Sequence, residues 1–334
     1  MKKISEFTFG ILTYNQETLV PETLESILYQ VQTYGKDIRC RCIVVDDCSK
    51  DGTVQTVRGW MEQNADVFCE TQLITNTQNR GTVCSYNRLL GMIGDENFKI
   101  LAGDDLISSG NLFEKYQGLD DRSLYTFLRI ELTDGKLGYD ENALAVYYFN
   151  QTRQRHHLSR MRRGGYLHTP STLYNKMLYN EAQCERLNRE FRLFEDDPTW
   201  YSMIKNIPGL RIHFSSEPVV LYRIHQQSVS NAKRTQKSEF DMEMEQLHRI
   251  YQKDAGGAER LYWFFRNRET LPKYLNPARY ADYIIRKMKV MCVSHSRDYR
   301  QWKQAVDACV QREQLYYKEI QKRLSAGDGS CSCP

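Results

Sequence analysis

The chain has 334 residues, 41% of them hydrophobic and 26% charged, with a mean hydropathy of -0.63. This composition suits a soluble protein of one large or two modest packed domains. A net charge of +4 is too small to argue for nucleic acid, and no nucleic-acid partner is expected. No apolar run reaches the roughly 18 residues needed to cross a bilayer. Met1–Glu6 lacks the apolar core of a secretory signal, so a cytoplasmic location is expected. The ten cysteines follow no framework. Cys40 and Cys42 in an apolar run, and Cys84 on an expected helix, read as buried free thiols. Cys331 and Cys333 sit in a Gly/Ser tail without CxxC spacing, and their role is left open.

Phe7–Leu12 reads as a buried first strand that ends in the polar loop Thr13-Tyr14-Asn15-Gln16-Glu17. Val20, Leu24, Ile27, Leu28 and Val31 keep one face apolar at helical spacing. Pro21 suits the first turn of that helix and Gly35 ends it. Cys40–Val45 forms a second strand, closed by Asp46-Asp47-Cys48-Ser49-Lys50-Asp51-Gly52-Thr53. Strand, helix, strand implies parallel pairing with a right-handed crossover. A helix over Thr53–Asn64, a strand within Val67–Ile74 and a helix over Val83–Ile93 follow. Next comes the apolar run Lys99–Ile107, interrupted by Gly103-Asp104-Asp105. This alternation predicts an α/β fold with a doubly wound sheet.

Such sheets bind ligands at the carboxyl ends of their strands. Asp46-Asp47 and Asp104-Asp105 stand at two such ends, so their four carboxylates are expected along one crevice. Adjacent acids repel, and oxygen ligands suit a hard divalent cation, Mg2+ or Mn2+. One pair suits a nucleoside, the other a metal-bound diphosphate. A plain solvated Asp-Asp turn is the competing reading. No GxGxxG follows the first strand and no GxxxxGK[ST] is present, which argues against dinucleotide oxidoreductases and P-loop enzymes.

Leu12-Thr13-Tyr14-Asn15, Leu24–Gln30 and Ile43–Thr53 together resemble the nucleotide-binding half of the family 2 glycosyltransferases of GT-A fold. Asn79-Arg80-Gly81 with Asn87 resembles the following segment, and Leu101–Asp105 is similar to the family's DxD-type metal motif. The resemblance implies a GT-A type mixed sheet flanked by helices, a nucleotide-sugar donor, a divalent cation and inversion at the anomeric carbon. It implies donor contacts from Thr13, Tyr14, Asn15, Glu17, Asp46, Asp47, Asn79, Gly81, Asn87 and Asp104, and cation contacts from Asp104, Asp105 and His225. Three positions depart from the pattern. Ala102 stands where the family often has the first Asp of DxD, Cys48 replaces a usual Gly, and Tyr86 a usual Arg.

Leu124–Leu132 and Ala143–Phe149 are apolar enough for strands. Arg153–His157 and Arg160–Gly165 form a basic stretch that reads as a solvated loop, or as a clamp for acceptor phosphates. Tyr166–Tyr174 resembles the family's acceptor-side strand, which places His168 there. Asp197-Pro198 suits the start of a helix over Pro198–Lys205. Glu195 and Asp196 then lie in the loop before it. The family carries a Glu-Asp pair at this point, which implies Asp196 as catalytic base, with Glu195 and Trp200 beside the acceptor. Helix capping by the three acids is the alternative. Pro218–Tyr222 reads as a last strand. Tyr222-Arg223-Ile224-His225 through Ser228 is similar to the family's closing Tyr-Arg-x-His-x-x-Ser, which brings His225 to the cation or diphosphate.

The expected organisation is a catalytic domain over 1–231, with a donor-binding half at 1–110 and an acceptor-binding half at 111–231. A helical extension over 232–326 and a disordered tail over 327–334 follow. In the extension, Tyr280, Ile284, Met288, Met291 and Cys292 mark one helical face. Trp302, Val306, Cys309, Tyr316, Ile320 and Leu324 mark another. The extension packs on the core, or docks on a membrane through basic and aromatic residues. The predicted function is inverting sugar transfer to a hydroxyl of a glycan or lipid-linked acceptor, in surface polysaccharide synthesis. A non-catalytic sugar-nucleotide-binding or scaffold subunit is the runner-up. A nucleotidyltransferase ranks third, for lack of a phosphate loop after the first strand.

Overall fold

The computed structural model describes residues 4–94, 97–153, 156–163, 166–225, 238–267 and 276–327. Gln154, Arg155, Gly164, Gly165, residues 226–237 with the expected boundary at 231, and Cys331 and Cys333 lie outside the described residues.

In chain order the first part runs β1 (Glu6–Thr13), α1 (Val20–Tyr34), β2 (Arg39–Asp46), α2 (Thr53–Gln63), β3 (Glu70–Thr75), α3 (Thr82–Met92) and β4 (Asn97–Ala102). The strands pair in parallel in the order β3-β2-β1-β4. Helices cover both faces, and β2 shows why. Cys40, Cys42 and Val44 point into a core with Leu24 and Ile27 of α1 and Val57 and Met61 of α2. Ile43 and Val45, on the opposite face, meet Leu89 and Leu90 of α3. Alternate strand residues serve opposite faces, so both faces must be apolar when both are covered. This is the doubly wound arrangement expected.

The chain then leaves this sheet. β5 (Leu106–Ile107), α4 (Leu112–Gln117), β6 (Ser123–Thr133), β7 (Lys136–Gly138), α5 (Glu141–Thr152), α6 (His157–Arg162) and a short 3-10 turn (Thr169–Ser171) lead to β8 (Thr172–Leu173). α7 (Lys176–Glu181), α8 (Cys184–Asn188), α9 (Asp196–Asn206) and β9 (Arg211–Arg223) follow. A second sheet, in the order β5-β9-β6-β7 with β8 also on β6, is mixed: β6 and β9 are parallel, the other pairs antiparallel. Gly103, Asp104 and Asp105 occupy the turn between the edge strand β4 of one sheet and the edge strand β5 of the other.

Among the described residues, four helices follow: α10 (Glu239–Asp254), α11 (Gly257–Arg266), α12 (Pro277–Ser294) and α13 (Arg297–Gly327). Val306, Cys309, Tyr316, Tyr317 and Ile320 of α13 share a core with Leu106, Leu128, Ile130, Leu132 and Leu221 of the second sheet. Leu247 and Tyr251 of α10 and Trp263 of α11 pack with Val83, Phe191, Phe194 and Tyr201.

Three local expectations differ from the structure. Ala143–Phe149 lies within α5 and is not a strand. Asp140 caps that helix by accepting from the Ala143 amide at 2.7 Å, and α12 packs along it. The basic stretch is not a solvated loop throughout, because Arg162 is buried and pairs with Glu259 at 2.8 Å. α9 begins two residues earlier than Pro198, so Asp196 and Asp197 occupy its first turn. Apart from these three, the apolar face of α12 points outward, with Tyr280, Met288 and Met291 each more than half exposed.

Candidate active site

The loops after β1 and β2 are laced together. Asn15 donates its amide to Ser49 Oγ at 2.9 Å, and its Oδ1 accepts from the Lys50 amide at 2.8 Å. Glu17 accepts from the Gly52 amide through Oε2 at 2.9 Å. Thr13 Oγ1 donates to Asp46 Oδ1 at 2.9 Å, and the Ser49 amide donates to Asp46 Oδ2 at 2.8 Å. These loops therefore hold a fixed rim, from which Tyr14 projects 45% exposed. Cys48, where the family often has Gly, takes φ +67°, a left-handed conformation that favours glycine.

Asp47 faces α3. Its Oδ1 accepts from the Arg80 amide at 2.8 Å and from Asn76 Nδ2 at 2.8 Å, and its Oδ2 accepts from the Gly81 amide at 2.7 Å. A carboxylate here satisfies amides just ahead of α3 and complements the positive end of the helix. Gly81 has φ +85°, and a Cβ on it would lie 2.4 Å from Arg192 Cγ. The two halves touch here. Val83 donates its amide to the Arg192 carbonyl at 3.0 Å, and the Arg192 guanidinium donates to Asn79 Oδ1. Asn87 Oδ1 accepts from Tyr179 OH at 2.8 Å, and Asn188 Nδ2 contacts both Tyr179 OH (3.2 Å) and the Glu195 carbonyl (3.3 Å).

The turn after β4 approaches the end of β1. Gly103 donates its amide to the Leu12 carbonyl at 2.8 Å, and a Cβ on Gly103 would sit 2.8 Å from Thr13 Cγ2. Asp104 Oδ2 pairs with His225 Nε2 at 2.8 Å, and both side chains are partly exposed. Asp105 points inward at 1% exposure, with its Oδ1 accepting from the Arg223 amide at 2.9 Å. Its Oδ2 is buried with no hydrogen-bond partner among the described residues. Burial, and then the Asp104 charge, push the Asp105 carboxyl well above the usual range. Beneath it, Lys99 is brought down to about 7 by burial. Arg223 organises the turn. Its Nε donates to the Asp104 carbonyl at 2.8 Å and its guanidinium pairs with Glu22 of α1, which Tyr317 of α13 also holds at 3.1 Å.

Among the described residues no three His, Cys, Asp or Glu side chains gather as a metal cluster. Asp104 and His225 offer one carboxylate and one imidazole, paired and partly exposed. The Asp104 carboxylate suits Mg2+ or Mn2+, which are commonly held by one or two carboxylates with substrate phosphates completing the shell, and the His225 imidazole would be the softer ligand beside it.

On the other half of the chain, Glu195, Asp196 and Asp197 stand at the start of α9. The Asp197 amide donates to Asp196 Oδ1 at 2.7 Å, which lowers the Asp196 carboxyl, but burial outweighs this and leaves it raised. Burial and the charge of Asp196 push Glu195 up to about 8. Trp200 is buried and donates Nε1–H to Thr169 Oγ1 at 2.8 Å, while the Thr169 side chain also reaches Asp196. One residue along, the Pro170 carbonyl accepts from Lys99 Nζ at 2.6 Å. His168 packs edge-on against Tyr222 at 4.8 Å, and burial holds its imidazole well below its ordinary range. The segment from His168 to Thr172 thus bridges the Asp104–Asp105 turn and the Asp196 helix.

Sequence reasoning did not single out Glu22, Lys99, Thr169, Tyr317 or Arg192. Glu22 and Arg223 are 201 positions apart, and no spacing rule links them.

No curated protein sequence matches the chain. Among solved structures, it is similar to S. aureus TarS, with TM-score 0.53 and 19% identity over 78% of this chain. It spans 42% of that TarS chain. S. aureus TarS 1-349 in complex with UDP-GlcNAc superposes with TM-score 0.56 and 17% identity, covering 96% of this chain and 92% of that one. The mannosyltransferase PcManGT from Pyrobaculum calidifontis, in complex with GDP-Man and Mn2+, superposes with TM-score 0.52 and 16% identity, covering 93% and 86%. At these identities the likeness shows the fold. The sequence profile of Glycosyl transferase family 2 matches residues 8–182, more than half of the chain, and the chain therefore belongs to that family.

Proposed function

We propose that the protein is an inverting glycosyltransferase that moves a sugar from a nucleotide-sugar donor to a hydroxyl of a glycan or lipid-linked acceptor. The observation that supports this reading is the chain of contacts between three acid-bearing segments: the turn of Asp104 and Asp105 bonds the end of β1 through the Gly103 amide, Lys99 beneath it bonds the Pro170 carbonyl, and neighbouring Thr169 reaches Asp196 in the first turn of α9. The donor's base and ribose lie on the rim of Thr13, Tyr14, Asn15, Glu17 and Asp46. Asp47, Asn79, Gly81 and Asn87 shape the floor, with Asp47 acting through the amides it holds. Asp104 and His225 hold the cation, and Asp105 fixes Arg223 from beneath. When bound, the divalent ion neutralises the diphosphate.

Asp196 is the general base, with Glu195, His168 and Trp200 flanking the acceptor. The acceptor oxygen attacks the anomeric carbon and its proton passes to the Asp196 carboxylate. The bond from that carbon to the diphosphate oxygen breaks, and nucleoside diphosphate leaves. A carboxyl raised by burial suits the role, because a base works best with a pKa near the working pH.

A thermal-shift panel of nucleotide sugars with and without Mn2+ identifies the donor. Asp196→Asn then lowers turnover at least about a hundredfold, within the range for loss of a general base, while donor binding is kept. Unchanged turnover refutes the assignment.

A role at a membrane surface in surface polysaccharide synthesis belongs to the same proposal. No helix among the described residues is long and apolar enough to cross a membrane. Support comes from the exposed Tyr280, Tyr283, Met288 and Met291 beside exposed Arg286 and Lys287 on α12. Such a face fits an anionic lipid interface. Flotation with anionic liposomes tests it, and absence of lipid association removes it.

A further inference from the structure

The segment that leads into Glu195 and Asp196 is irregular, and its amides must find partners outside regular structure. Buried backbone N–H groups are nearly always satisfied. Here a single side chain from the C-terminal helices satisfies three in a row. Glu243, on α10 and 8% exposed, accepts from the Arg192 amide through Oε1 at 2.7 Å. Its Oε2 accepts from the Leu193 amide at 2.9 Å and the Phe194 amide at 3.3 Å. Bonds to an ionised acceptor are roughly twice as strong as neutral ones.

The surroundings tighten the hold. Phe194 stacks on Phe240, one turn earlier on α10, at 4.5 Å between ring centroids. The side chain of Arg192 pairs with Glu239 at 2.7 Å on the same helix and reaches Asn79 across the crevice. The carbonyl of Arg192 takes the Val83 amide at the start of α3. Residues 192–194 are therefore fixed from below by α10 and from the side by the donor half. The next residue is Glu195, and the one after it Asp196.

We infer that Glu243 is a positioning residue for the transfer reaction. Its carboxylate locks the Arg192–Phe194 amides and so sets where α9 begins and where the Asp196 carboxylate stands relative to the acceptor hydroxyl. This rests on the reading of Asp196 as base. It makes α10 part of the reaction apparatus.

The test uses the full chain and the variants Glu243→Gln and Glu243→Asp. Gln keeps the shape but turns an amino group toward backbone amides. Asp keeps the charge and falls short by one methylene. Hydrogen exchange is read at residues 192–197 and along α10, with Met242→Ala on the exposed side of α10 as control. Exchange at 192–194 is expected to rise at least tenfold and to spread to 195–197 in both variants, with α10 protection kept. With the donor identified by the thermal-shift panel, kcat is expected to fall at least tenfold while the donor KM stays within twofold. Faster exchange confined to 192–194, or an unchanged kcat alongside loosened amides, overturns the inference. The exchange measurement needs no donor, so it decides the positioning claim even if Asp196→Asn keeps its turnover and the base assignment fails.

Discussion

Glu195→Gln is expected to stabilise the protein, and by an amount that grows with pH. In the fold, burial and the neighbouring Asp196 push this carboxyl from its ordinary 4.5 up to about 8. Below about pH 4.5 the group is protonated in both the folded and unfolded chain and contributes no difference. Between 4.5 and 8 the unfolded chain releases the proton while the folded chain keeps it, so stability falls as pH rises. Above about 8 the deficit is complete. Each tenfold change in proton affinity is worth about 1.4 kcal/mol, which sets an upper bound of about 5 kcal/mol for this group. Asp196 and Asp197 share the same proton equilibrium, so a gain of at least ~2 kcal/mol at pH 8.5 is the expected remainder. Gln has the same shape and never ionises, so it escapes the deficit. For a chain of this size the gain corresponds to a Tm rise of roughly 3 °C at pH 8.5, shrinking toward zero at pH 4.5. Differential scanning fluorimetry of both proteins across pH 4.5 to 9 reads this directly. A difference in Tm that stays flat over that range refutes the reasoning, because Glu195 would then be ionised as readily in the fold as in the unfolded chain.

Gly103→Ala puts a Cβ 2.6 Å from Gln16 Oε1 and 2.8 Å from Thr13 Cγ2. A loss of about 1–3 kcal/mol is expected from the overpacking, and denaturant titration measures it. Asp105→Asn keeps the acceptor for the Arg223 amide and removes a carboxyl that burial, and then the Asp104 charge, hold well above the usual range. Its stability relative to wild type should therefore rise with pH through the range in which a free carboxyl ionises. Its Mn2+-dependent thermal shift should match wild type, and loss of that shift would mean that Asp105 itself reaches the ion. Ile320→Ala, at a fully buried position where α13 meets the second sheet, should lose about 2–5 kcal/mol. A value under 1 kcal/mol in urea unfolding would show that α13 does not share that core.

The first hundred residues were legible because burial on both faces of a parallel strand writes itself as a continuous apolar run. The two Asp pairs stood out because each run stops on them. What periodicity could not reveal is what a buried face packs against. The spacing of Val306, Cys309, Tyr316 and Ile320 announced a buried stripe on α13, but the same stripe fits an accessory bundle or a share in the core that holds β5 and β9. Ala143–Phe149 was misread because its apolar density fits either period, and the deciding signals were Asp140 as a cap and α12 as a partner. The site shows the same limit in its charges. Asp47 looked like a group free to meet a nucleoside, and in the fold three donors from residues 76–81 occupy it. Asp104 and Asp105 both read as cation contacts, yet Arg223 separates them, its guanidinium donating to the Asp104 carbonyl and its backbone amide to the Asp105 carboxyl. The result is one acid partly exposed beside His225 and one turned inward. An acid pair in a sequence therefore announces where charge gathers. Which member turns inward depends here on Arg223, far along the chain, whose backbone amide holds Asp105 and whose guanidinium pairs with Glu22, itself held by Tyr317 of α13.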